Sequence, residues 1–97
     1  MHRVLLERRI RDVHTRLVRA REELAVLNEQ MAVVKESADE ARVRALVSET
    51  PLATQEHDEA VRHADAMARA CEALQRTVVD LERRQDELLA AVSTGER

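Results

Sequence analysis

The sequence predicts an all-α chain in which two long helices form an antiparallel coiled-coil helical hairpin, with a second face on which two hairpins can dimerise into a four-helix bundle. Three observations predict it. Apolar residues recur at alternating spacings of four and three along almost the whole chain. The 97 residues include one glycine, one proline and no phenylalanine, tyrosine or tryptophan. One credible turn is present, around Pro51. A sheet needs β-branched and aromatic residues broken by frequent Gly/Pro turns, so compact β and α/β folds are excluded. The chain is 36 % charged but also 44 % apolar. That much apolar content in a regular register argues against disorder.

The first helix is expected over about residues 3–48. Its seam reads Leu6, Ile10, Val13, Leu17, Ala20, Leu24, Leu27, Met31, Val34, Ala38, Ala41 and Ala45, a sustained heptad pattern of the kind that drives helix pairing. The turn is expected at about residues 49–53. Thr50 can cap a second helix that begins at Pro51, where a missing N–H is harmless, and Thr54 is an alternative cap. The second helix, about residues 51–93, carries the seam Ala53, His57, Ala60, Ala64, Met67, Cys71, Leu74, Val78, Leu81, Gln85, Leu88 and Val92. Residues 94–97 are expected to fray. At 1.5 Å per residue each arm would measure on the order of 60 to 70 Å.

Two registers suit the pattern. One sets Leu24 beside Leu74 and Leu27 beside Cys71; the other, a heptad away, sets Leu24 beside Leu81 and Val34 beside Cys71. Near the turn both seams shrink to alanine. At roughly 25 cal/mol per Å² of buried apolar surface, an alanine layer contributes far less than a leucine layer, so the tip is expected to be the least stable part.

The lone cysteine, Cys71, cannot form an intramolecular disulfide and sits in the seam as a small hydrophobe. Charge interrupts the first residues before a signal-peptide core can form, and no stretch approaches the roughly 18 apolar residues that span a bilayer, so a cytoplasmic location without membrane insertion is expected. Catalysis is not expected, because exposed helices offer no concave pocket and the chain has no glycine-rich phosphate loop. No cofactor, metal or small-molecule substrate is expected either. Of His2, His14, His57 and His63, only His63 has a ligand-like neighbour four residues away, Glu59, which is not a closed zinc set. His57 lies on the seam, where protonation would loosen an alanine-only tip. Gln85, also on the seam, can fix register by demanding a polar partner.

Opposite the seam of the first helix runs a second, broken apolar stripe: Val4, Leu5, Val18, Ala25, Val26, Ala32, Val33, Val43, Leu46 and Val47. A two-helix hairpin leaves it wet, and exposed apolar patches of this length mark interfaces. The second helix differs. Arg62, Arg69, Arg76 and Arg83 recur every seven residues, with Asp58, Asp65 and Glu72 four residues before the first three, which suits a solvated, salt-bridged face.

Charge is also uneven along the chain. Residues 1–21 hold seven arginines against Glu7 and Asp12, whereas residues 22–60 hold ten acids against Lys35, Arg42 and Arg44. Antiparallel packing of two hairpins would bring the basic start of one near the acidic part of the other, a physical reason to expect a homodimer. Nucleic acid is a poor fit for the basic segment, since the net charge is −3 and no aromatic side chain can stack on a base.

A helical hairpin with an acidic tip resembles the coiled-coil finger of RNA polymerase secondary-channel regulators of the Gre and DksA class, and the segment Pro51-Leu52-Ala53-Thr54-Gln55-Glu56, followed by Asp58 and Glu59, is loosely similar to the turn and acidic start of the second helix in the DksA branch. That resemblance implies a helical finger acting through an acidic tip. The paired tip aspartates of that class are matched at best by Glu49, and its globular or zinc-binding domain has no counterpart in these residues.

The expected function is therefore a non-enzymatic protein–protein interaction module, an adaptor or regulator. Its partner-binding residues would be Val4, Leu5, Val18, Val26, Val33 and Val47 with Arg8, Arg11 and Arg19, and its tip residues Glu49, Glu56, Asp58 and Glu59. A transcription regulator acting through the acidic tip and a purely structural self-assembling bundle are the alternatives.

Overall fold

A computed structural model describes residues 2–95. The element order is α1, His2–Ser48, then α2, Pro51–Gly95, with no strand among the described residues. The protein is an all-α helical hairpin.

The reversal takes two residues. Glu49 adopts a left-handed conformation with φ 50°, the geometry that ends many helices and that usually falls to glycine. Its N–H still donates to the Ala45 carbonyl at 3.1 Å, closing the last turn of α1. Thr50 then caps α2. Its Oγ1 accepts from the Ala53 N–H at 3.2 Å, and its carbonyl accepts from the Thr54 N–H at 3.1 Å. One residue thus satisfies an otherwise orphaned donor and starts the helical ladder, with Pro51 in the first helical position.

Every seam residue predicted above is buried or half-buried, from Leu6 to Ala45 on α1 and from Ala53 to Val92 on α2. Among the described residues two more are half-buried, Ala68 and Glu82. The chain forms two compact units. In the base unit, residues 2–24 pack with residues 74–95. Leu6, Val13 and Leu88 make its core cluster, Ile10, Leu81 and Val92 pack against them, and Leu17 is fully buried. In the tip unit, Ala25–Ala73, the buried residues are Ala41, Ala53 and Cys71.

The base cluster decides the register. Leu6 shares it with Leu88 and Val92, which the first register allows; the second would carry Leu6 past the end of α2. Leu24 therefore lies at the level of Leu74, and Leu27 at the level of Cys71. A two-residue turn gives the same answer, because it makes positions equidistant from Glu49 and Thr50 face one another.

Candidate interaction surface

When seam positions are labelled a and d of a heptad, the outer stripe of α1 occupies positions b and c, joined by Val43 at position f, on the side of the helix turned away from α2. These side chains are exposed. In the base unit they are Val4, Leu5 and Val18; in the tip unit they are Val26, Val33, Val43, Leu46 and Val47, with Val33 at 63 % and Val47 at 79 % exposure. Ala25 and Ala32 are exposed as well. Adjacent valine, leucine and alanine pairs recur at 4–5, 25–26, 32–33 and 46–47, while Val18 and Val43 stand singly.

Each unit carries its own charge beside this stripe. In the base, Arg8, Arg11 and Arg19 are exposed on the outer face. In the tip, Glu36, Asp39 and Glu40 are exposed there, and together with Val43 and Arg44 they line a shallow surface depression. The acids around the turn, Glu49, Glu56, Asp58 and Glu59, also face solvent. Of these, Glu59 accepts a hydrogen bond from Gln55 Nε2 at 3.3 Å through Oε1.

The outer face of α2 behaves differently. Arg62, Arg69, Arg76 and Arg83 are exposed. Arg83 pairs with Asp80 at 3.9 Å, and Arg84 with Glu87 at 3.6 Å. Among the described residues, no ion pair closes from Asp58, Asp65 or Glu72 to the arginine four residues on. Such exposed pairs gain little Coulomb energy against water and the entropy of two long side chains, so the open arrangement costs little. Leu52, Val61 and Val79 are exposed singly along α2, and Leu89 lies beside exposed Ala90 and Ala91 near its end. Their spacing gave no sign of a stripe.

Among the described residues, a charged contact joins the two helices. Arg21 Nη2 donates to Glu82 Oε2 at 3.1 Å across the edge of the base seam. It explains why Glu82 is half-buried, and it was not foreseen from the sequence. Both residues occupy position e, where charged side chains flank an antiparallel seam. Once the register is known, the pairing could have been read.

The potential reactive groups are dispersed. Cys71 is a buried free thiol, His57 is half-buried on the tip seam, and His2, His14 and His63 are exposed. Among the described residues no group of three His, Cys, Asp or Glu side chains is placed to hold a metal ion, and no helix is long and apolar enough to cross a membrane. Arg16, Arg19, Glu23, Thr77 and Asp80 border an open groove in the base, floored by Ala20, Leu74 and Leu81. No polar or charged residue among those described is buried in either unit. No protein-family model, curated protein or solved structure matches the chain.

Proposed function

We propose that the chain is a protein–protein interaction module, an adaptor or regulator that works by presenting the outer face of α1 and not by chemistry. The observation that carries this reading is the run of paired, exposed valines, leucines and alanines at heptad positions b and c, on a helix whose a and d positions are already used. A helix apolar on two sides is ordinarily covered on two sides. The contacts assigned to this surface are Val4, Leu5, Val18, Val26, Val33 and Val47, with Arg8, Arg11 and Arg19 for an acidic patch on the partner.

The test is the double variant Val26→Asp/Val33→Asp in the full chain. Its helicity, followed by circular dichroism, should match the wild type, because both positions are exposed. Its association, whether with itself or with a protein retained from native lysate, should be lost. Association that survives the two aspartates would remove the stripe as the interface.

The exposed acids beside the turn favour a second reading, a regulator whose tip enters a basic channel. It expects that neutralising Glu49, Glu56, Asp58 and Glu59 abolishes activity while binding through α1 is retained. Loss of binding by that variant would count against it.

A further inference from the structure

We infer that the partner of the α1 outer face is a second copy of this chain, docked antiparallel, with the base patch of each copy on the tip patch of the other. The inference rests on the reading of that face as an interface and adds the identity of its occupant.

The order of residues along α1 carries it. An isologous contact between two antiparallel helices requires that residue i meet residue j and that j meet i, so the contact face must read as a palindrome. This one does. With the two-fold axis between Ala25 and Val26, Val4 meets Val47, Leu5 meets Leu46 and Val18 meets Val33, the residue numbers in each pair having a constant sum. One interruption obeys the same symmetry. The Arg11/Asp12 step, which breaks the stripe in the base, falls opposite the Asp39/Glu40 step, which breaks it in the tip.

On the same axis, one directly opposed pair of the outer face is of opposite charge and two are of like charge. Arg11 stands opposite Glu40, with Glu36 one turn away. Arg8 stands opposite Val43, whose neighbours one turn back are Asp39 and Glu40. Arg19 stands opposite Ala32, between Glu29 and Glu36. All three arginines of the outer face thus find carboxylates of the other copy, and all of these charged groups are exposed in the single chain. Asp12 opposite Asp39, and Glu22 opposite Glu29, are the like-charged pairings. Arg8 flanks the first and Arg19 the second. Sliding the register by one heptad either way leaves Val4 and Leu5 opposite charged Asp39 and Glu40, or carries them past the end of α1.

The experiment is a charge-swap cycle on the full chain, read as mass in solution by light scattering over a concentration series. Refractive index serves for detection, because the chain has no tryptophan or tyrosine. The wild type should be a dimer. Arg11→Glu alone, or Glu40→Arg alone, should weaken the dimer at least about tenfold, since symmetry makes each change act at two places. Combined in one chain, Arg11→Glu/Glu40→Arg keeps the net charge and should restore the dimer. Positions 11 and 40 are far apart in the sequence of α1, too far for a contact along one helix, so rescue would come from contact between copies. Failure of the combined variant to recover, or a wild type with the mass of one chain, overturns the second copy as occupant. If that single-mass wild type holds another protein that Val26→Asp/Val33→Asp releases, the interface reading survives. A dimer indifferent to those two aspartates would overturn both.

Discussion

The base and tip units are built on one heptad pattern and differ in what fills it. Layers of the base are made by Leu6, Ile10, Val13, Leu17, Leu81 and Leu88, whereas the buried residues of the tip are Ala41, Ala53 and Cys71. Leu17 and Ala41 are almost equally shielded, at 0 % and 3 % exposure. Shielding is therefore not the measure of stabilisation. What counts is the apolar area each side chain removes from water, at roughly 25 cal/mol per Å². A leucine layer removes more than an alanine layer, so a uniform pattern gives an uneven distribution of stability.

The sharpest way to test the contrast is to truncate one residue in each unit. Leu17→Ala should cost about 3 kcal/mol, from lost transfer energy and the cavity left behind. Ala41→Gly should cost about 1 kcal/mol, mostly backbone propensity. Urea unfolding followed by far-UV circular dichroism at one fixed protein concentration measures both. Equal losses would dissolve the distinction between the units.

A smaller effect belongs to the turn, where the tip has its own fixed geometry. Thr50→Ala removes the oxygen that accepts from Ala53 and should lower stability by about 1 kcal/mol. Glu49→Gly relieves a left-handed backbone carrying a side chain, and should raise stability by about 0.5 to 1 kcal/mol after the greater freedom of glycine in the unfolded chain is counted. Thermal melts of the two variants should move in opposite directions. The smallest effect is expected in the base: Arg21→Ala breaks an ion pair whose side chains are about half exposed, and should cost under about 0.5 kcal/mol, with the difference fading in high salt.

Most of the fold was legible because an amphipathic seam is written directly in residue order. Each seam position from Leu6 to Val92 lies where its spacing places it, and Thr50 and Pro51 announced the helix start that the hydrogen bonds show. The register was not legible from pattern alone, because Leu24 finds an apolar neighbour in either Leu74 or Leu81. The length of the turn and the clustering of Leu6 with Leu88 decide between them. The left-handed Glu49 had no signal at all, since the chain's single glycine is at position 95 and a glutamate there looks like any exposed acid. For the surface, the sequence showed the α1 stripe and its charges. It could not show that, among the described residues, Asp58, Asp65 and Glu72 close no ion pair with the arginine four residues on, because exposed side chains choose among rotamers of nearly equal energy.

The two-residue turn also sets the order in which the molecule can assemble. Contacts beside the turn close short loops at small entropic cost, yet they are the alanine contacts that return least. Leu6 and Leu88 return more, but they meet only after nearly the whole chain has been brought round. Folding speed falls as the rewarding contacts become more distant in sequence. This hairpin should accordingly fold more slowly than one with the same layers in reverse order, leucines beside the turn and alanines at the open end.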